Sequence, residues 1–447
     1  MLNKAVNTKV LNKITCFALP YLLSCFMQTL YGMADLFIIG QFNAVECTTA
    51  VSIGSQVMHM LTVMIVGMTM GSTVLIAKSV GTQNKKQTSK IIGNTVVLFS
   101  ALAIVLTLIL LVCVDGIISL MSTPIEAVAG TKSYLTICFM GIPFITAYNV
   151  IGSFFRGKGD SKTSMYFVAV ACVANILLDY LFIGGINLGE AGAALGTVLS
   201  QAISVVISVI AITKKDMGIG VSLASFKPVK AIMSELLKIG IPVSLQDGFI
   251  QLSFLIITMF ANQRGIEDAA AVGIVEKIIG VLFLVPSTML STVSAISAQY
   301  IGAEKLSEAR MTLRYATIIS VAFGVVSVVL MLFSAESVVG LFTDNSKVIV
   351  MGGQYMRGYV WDCIAAGIHF CFSGYFCASR YASVSFAHNF VSIMVARIPL
   401  SYLASKYFAS SLFPMGLAPS IGSCISVVIC ITAYIIINKR PNKIKTV

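Results

Sequence analysis

The sequence predicts an all-α polytopic membrane protein, with twelve transmembrane helices in two six-helix bundles related by a pseudo-twofold axis along the membrane normal. Three observations predict this: a composition too apolar for water, twelve long apolar runs, and a repeat that relates the halves of the chain. The 447 residues are 57% hydrophobic and only 11% charged, against roughly 25% charged in a soluble domain. Mean hydropathy is +0.93, so lipid is the solvent for most of the surface. Lipid admits only helices or closed barrels, because every backbone polar group must pair internally. The apolar stretches are continuous and show no strand-like alternation, which leaves helices.

A spanning helix needs about 20 apolar residues. Twelve runs qualify, at 14–40, 50–77, 91–114, 130–153, 163–184, 189–213, 235–262, 269–300, 311–333, 348–376, 384–408 and 414–438. The first exceeds the roughly 7–15-residue apolar core of a signal peptide and is expected to be a retained helix. Of the 30 Lys and Arg residues, 23 fall on one side of the alternating loops, four on the other and three inside runs. Arg156 and Lys78 are counted here as loop residues. The positive-inside rule then places both termini in the cytoplasm of a multi-pass protein of the cytoplasmic (inner) membrane. The net charge of +12 is thereby a topology signal, and nucleic acid is excluded as a partner. The bilayer is the expected surrounding, and the chain is expected to act as a monomer.

Shifting the chain by 221 residues superposes its halves. Ala50, Val51 and Ile53 meet Ala271, Val272 and Ile274; Gly81 meets Gly302; Tyr134 meets Tyr355; Phe155 meets Phe376. Six helices per copy keep both copies in one orientation, an arrangement suited to alternating access. The expected organisation is an N-terminal lobe at 1–213, a basic cytoplasmic linker at 214–234 and a C-terminal lobe at 235–447.

Ionisable groups inside a bilayer are costly and so become functional candidates. Ser24, Gln28, Tyr31 and Asp35 recur at 4-3-4 spacing in the first run and form one polar stripe. Pro20 removes a backbone donor upstream of them and can bend that helix. Asn175 and Asp179 share a face of the fifth run. Thr197, Gln201, Ser204 and Ser208 form a stripe in the sixth. Asp35 lies five residues before the expected exit at Gly40, roughly 7–8 Å of rise, and Asp179 lies at a similar depth before Gly184. Tyr134 falls near the outer end of the fourth run. Two carboxyl groups close together in a dry site cannot both stay ionised cheaply. They would take a proton, or a hard cation held by oxygens of Asp, Asn and Thr.

These motifs resemble the multidrug and toxic compound extrusion (MATE) family, in particular its DinF-like branch. The resemblance rests on Pro20 and Gln28 before Asp35 in TLYGMADLFIIG, on NILLDYLFIGG, on GEAGAALGTVLSQ and on the glycine loops at Gly81 and Gly302. It implies export of cationic or amphipathic organic compounds in exchange for H+ or Na+. Asp35, Asn175, Asp179 and Thr197 match the family's N-lobe cation site, Tyr134 a nearby polar tyrosine, Pro20 a proline linked to bending, and Gln28 a substrate-cavity residue. Tyr31, on the same stripe, is placed with Gln28. The C lobe departs from the pattern: the counterpart of FFRGKGD reads YFCASRY, and Asp362 lies about a turn out of register with a second coupling carboxylate.

The runner-up reading is a lipid or lipid-linked-oligosaccharide flippase of the same superfamily, which would favour a large basic cavity and often two extra helices. No nucleophile–base pair or metal cluster suggests an enzyme, and no cofactor or metal beyond a possible Na+ is expected. GSFFRGKG at 152–159 lacks the Ser or Thr that a phosphate-binding loop needs after Lys. Asp247, Glu276, Lys277, Asp362, Arg357 and Arg397 are read as inter-helix ion pairs or snorkelling side chains. His59, His369 and His388 are read as isolated packing residues, and the eleven cysteines as core filler.

Overall fold

The computed structural model describes residues 2–214 and 223–439, with side chains from residue 8 onward. The described residues are helical apart from short connections. Residues 215–222 of the expected linker, and Arg440, Lys443 and Lys445 of the expected basic tail, lie outside them. In order, the chain forms α1 (Leu2–Phe42), α2 (Val45–Gly81), α3 (Lys85–Leu120), α4 (Ile125–Met140), α5 (Ile142–Lys158) and α6 (Ser161–Asp179). A π-helical turn, Tyr180–Gly185, continues α6, and α7 (Gly189–Lys214) follows. The second half forms α8 (Lys230–Asn262), α9 (Ile266–Leu282), α10 (Leu284–Gly302), α11 (Leu306–Val339), α12 (Ser346–Tyr359) and α13 (Asp362–Ala378). It ends with α14 (Ala382–Ser392), a π turn at Ile393–Arg397, α15 (Ile398–Tyr407) and α16 (Phe413–Asn438).

Among the described residues, nine helices are long and apolar enough to cross a membrane, or eleven when each of two bent pairs is one span. The expected fourth run is one such pair, bent by 51° between α4 and α5. The bend falls at Gly141, where an added Cβ would run into Val198, and a proline enters the first turn of α5. The expected tenth run is the other pair, bent by 40° between α12 and α13. The expected eleventh run is present at 382–407 but broken into α14, the π turn and α15.

Helix ends overrun the apolar runs. Asn84 caps α3 by accepting from the Gln87 N–H at 3.0 Å, and Asp160 caps α6 by accepting from the Thr163 N–H at 3.0 Å; such caps satisfy orphan donors of the first turn. Gly159 adopts φ +87° after α5, the left-handed conformation that glycine supplies at a helix end. As a result two basic residues counted in loops are helical and buried instead: Lys78 in α2 and Arg156 in α5.

The chain divides into two compact units, one of residues Leu19–Leu237 and one of Met1–Ala18 with Lys238–Val447. The division crosses α1 just before Pro20. In the first unit the core joins Ile38 and Ile39 of α1, Val51 of α2, Leu135 and Phe139 of α4, Ile145 of α5 and Ala193 and Ala194 of α7. Part of the expected linker belongs to this unit. Ser225 is bonded to Ser89 of α3 at 2.7 Å, and Asn94 accepts from the Val229 N–H at 2.6 Å. In the second unit the core joins Ile257, Val272, Val275, Tyr355, Tyr359 and Met415.

Candidate cation and substrate site

The π turn begins directly after Asp179, so this carboxyl sits where the helix widens from α to π geometry; such bulges recur at functional sites. Asp179 is 0% exposed, Asn175 one turn earlier is 0% exposed, and Asp35 of α1 is 4% exposed. The Asp35 carboxyl lies directly against the Asp179 carboxyl and the Asn175 amide. The half-buried Thr197 of α7 donates its hydroxyl to Asp35 Oδ2 at 3.1 Å. Three elements therefore bring together four residues that are up to 162 positions apart in the chain.

The cluster is underbonded. Asp35 Oδ1, both Asp179 carboxyl oxygens and both polar atoms of the Asn175 amide are buried without a well-formed hydrogen bond. Neither carboxyl takes part in an ion pair with Lys, Arg or His among the described residues. Buried polar atoms are normally satisfied, and exceptions call for a ligand or a functional reason. The donor set, two carboxyls with an amide and a hydroxyl, fits a proton or a small hard cation with oxygen ligands.

Gly196 makes room for it. A Cβ there would overlap Asp179 Oδ1, so α7 can approach the carboxyl only without a side chain at this position. Sequence reading passed over this glycine, although it directly precedes Thr197.

Tyr134 is buried near the two carboxyls, with its hydroxyl beside the Cys138 thiol and its ring seated on Gly54, where a Cβ would strike the ring. The polar stripes of α1 and α7 run alongside each other away from the carboxyls. Asp35 meets Thr197, and Tyr31 meets Gln201. Gln28 then donates to the Tyr148 hydroxyl of α5 at 3.3 Å. Ser24 donates to the Pro20 carbonyl at 2.9 Å, and Ser204 to the Phe167 carbonyl at 2.8 Å. The column ends in a small cavity of about 50 Å³, lined by Tyr21, Ser24, Gln28, Tyr148, Asn149, Arg156 and Ser208 among others. Gln28 is in its wall; Tyr31 is not, and stands between cavity and carboxyls.

The second unit holds a different polar cluster. Arg397, at the end of its π turn, donates to the Tyr359 hydroxyl at 2.6 Å and lies 4.4 Å from the Phe254 ring centre. Glu276 accepts from Thr258 at 3.0 Å, and Asp362 lies beside Ser423. The expected ion pairing holds for Arg357, which meets Glu336 at 2.9 Å. Lys277 is exposed, and Arg397 forms no close ion pair but faces Glu276 and Asp362 at longer range. His369 and His388 were expected to be isolated, yet their rings are 5.5 Å apart. His388 is held by Ser373 and Ser426. Three residues bridged by spacings of 15 to 38 positions leave no periodic trace in the sequence.

The MatE family model matches the chain twice, at residues 20–181 and 242–403. The chain belongs to the multidrug and toxic compound extrusion (MATE) family. Each match covers one copy of the internal repeat. The probable multidrug resistance protein YoeA of Bacillus subtilis (strain 168) is 25% identical over 411 residues, covering 90% of this chain and 89% of the relative. The multidrug export protein MepA of Staphylococcus aureus (strain NCTC 8325 / PS 47) is 26% identical over 361 residues, covering 80% and 79%. Among solved structures, an outward-facing multidrug resistance MATE transporter of the MOP superfamily superposes with a TM-score of 0.89 at 20% identity, covering 97% of this chain and 96% of the other. This MATE protein is thus a multi-pass membrane transporter of the multidrug efflux class, and not an enzyme.

Proposed function

We propose that this MATE transporter is an antiporter that exports cationic or amphipathic organic compounds in exchange for H+ or Na+ by alternating access. One observation carries the reading: Asp35 and Asp179 are buried side by side with oxygens unbonded and no basic side chain paired to them. Two adjacent carboxyls in a low-dielectric site need one positive charge to be stable, and a driving ion supplies it. Asn175 and Thr197 complete the ligand set, and Tyr134 closes its outer side.

In this mechanism the ion enters from outside, neutralises the pair and weakens its hold on a cationic group of the substrate. Pro20 lets α1 bend as the polar column below Asp35 rearranges, and the substrate leaves outward. The carrier reorients and releases the ion to the cytoplasm, where both termini lie. A ligand shifts such an equilibrium only through its different affinity for the two states, and the pair provides that difference. The chain acts as a monomer in the cytoplasmic membrane, and its N-terminal lobe, residues 1–213, carries the coupling site.

The test is efflux from vesicles under separate pH and sodium gradients, with Asp35→Asn alongside the wild type. The wild type should respond to one gradient, and Asp35→Asn should lose coupled efflux at normal membrane abundance. Wild-type rates in that variant would exclude the mechanism.

A further inference from the structure

The second unit repeats the plan of the carboxyl site with a different charge in it. The shift of 221 pairs Tyr134, near the two aspartates, with Tyr355, which lies near Glu276, Asp362 and Arg397. Asp179 directly precedes one π turn, and Arg397 closes the other. The two residues are 218 positions apart, close to the repeat shift. Each also meets a glycine of a later helix. A Cβ at Gly196 of α7 would overlap Asp179 Oδ1, and a Cβ at Gly422 of α16 would lie 3.5 Å from the Arg397 Cβ and 2.9 Å from Ser392 Oγ. At corresponding places in the repeat, one unit carries an acid and the other a base.

Arg397 is 8% exposed. Its Nη2 donates to the Tyr359 hydroxyl at 2.6 Å, and its guanidinium carbon lies 4.4 Å from the centre of the Phe254 ring. These contacts hold the charge in place without neutralising it. Glu276 and Asp362 each face the guanidinium, whereas Asp35 and Asp179 face each other. Each second-unit acid keeps one buried oxygen without a hydrogen bond, Glu276 Oε1 and Asp362 Oδ1. The same cluster holds two unbonded donors, Arg397 Nε and the Tyr355 hydroxyl. Donors and acceptors therefore match within the cluster, and bridging water or a small side-chain movement can join them. In the first unit the unbonded donor beside the carboxyl oxygens is the neutral Asn175 amide, which brings no charge.

We propose that Arg397 is a built-in counter-ion, which does permanently for Glu276 and Asp362 what the driving ion does transiently for Asp35 and Asp179, so that the carrier has a single exchangeable cation site, in the first unit. The second unit sets two acids against one fixed positive charge, a ratio the first unit reaches only with an ion bound. A guanidinium keeps its proton throughout the physiological range, and Arg397 is tethered to the chain. The acids it balances therefore cannot take up an ion on one side of the membrane and release it on the other. An incoming cation would also meet the like charge of Arg397 in a medium of low dielectric, where that repulsion is strong. The consequence for coupling rests on the transporter reading, while the counter-ion assignment stands on the second unit alone.

The test uses purified full-length protein and two readouts. One is infrared absorption in sodium-free buffer at the carbonyl stretch that a protonated carboxyl group shows and a carboxylate lacks; the other is radioactive Na+ bound in sodium buffer. Glu276→Gln and Asp362→Asn should each leave both signals at wild-type values, because neither acid carries a proton or a sodium ion. A fall in either signal in either variant overturns the proposal, and this arm needs no change at Arg397. Arg397→Met should gain about one protonated carboxyl or one bound Na+ per chain, since a buried acid that loses its counter-charge is neutralised instead. Arg397→Lys, which keeps the charge, should gain neither. The gain should vanish when Glu276→Gln and Asp362→Asn are added to Arg397→Met. A folded Arg397→Met protein without the gain, or a gain that survives removal of both acids, overturns the proposal. Asp35→Asn reads the other site. Wild-type signals in that variant would end the first-unit ion reading and leave the counter-ion assignment standing, and failure at Glu276 or Asp362 leaves Asp35-dependent efflux standing.

Discussion

Gly196 of α7 lies so close to the Asp179 carboxyl that any side chain at position 196 would overlap Oδ1. The carboxyl pair thus depends on an absent side chain as much as on its own oxygens. Gly196→Ala should displace Asp179 or push α7 outward, a steric cost of about 1–3 kcal/mol. The expected result is loss of ion-coupled efflux in vesicles with a lowered melting temperature. Gly116→Ala is the matched control, because nothing lies within 4 Å of a Cβ there, and it should behave as wild type in both measurements.

Among the described residues, Thr197 provides the one well-formed hydrogen bond to the Asp35 side chain. A hydrogen bond to a charged group contributes about 1.5 kcal/mol or more, close to a factor of ten. Thr197→Val keeps the shape and removes the hydroxyl, so it should slow coupled efflux about tenfold. Thr197→Ser should recover most of the rate. Equal rates in all three proteins, measured under the driving gradient, would show that the hydroxyl does not serve the pair.

These two neighbours differ in how far the sequence revealed them. Asp35, Asn175, Asp179 and Thr197 stood out because a polar side chain in an apolar run is expensive and helical spacing fixes its face. Gly196 did not, because glycine is frequent in membrane helices and only the position of another helix gives it meaning. The π turn after Asp179 was equally hidden, since it changes hydrogen-bond register without changing composition. Arg156 was misplaced for a related reason: apolar runs end where lipid contact ends, but α5 continues to Lys158 inside the protein. The bend at Gly141 falls where Val198 of α7 packs close against the glycine, a contact between distant parts of the chain.

Pro20 has no N–H to offer the preceding turn of α1, and the boundary between the two compact units crosses α1 between Ala18 and Leu19. Pro20→Ala should stiffen that segment. The expected outcome is slower turnover in vesicles, with binding of the driving cation to purified protein unchanged. A parallel fall in cation affinity would assign the proline to the site and not to the motion.

Arg397, itself buried, is the positive member of the cluster that also holds the half-buried Glu276 and the buried Asp362. Its Nη2 donates to the Tyr359 hydroxyl, and its charge offsets two acids at longer range. Removing it leaves two acids, the buried Asp362 and the half-buried Glu276, without the positive charge that faces them, and an acid buried without a counter-charge is destabilising. Arg397→Met should therefore lower the melting temperature of the purified protein, and Arg397→Met combined with Glu276→Gln should recover much of the loss, because one of the stranded charges is gone. Non-additivity of that sign is the signature of a direct energetic link between the two positions. If the double variant is as unstable as the sum of the singles, Arg397 acts through its Tyr359 and Phe254 contacts alone, and the charge balance of this cluster has no part in the stability of the second unit.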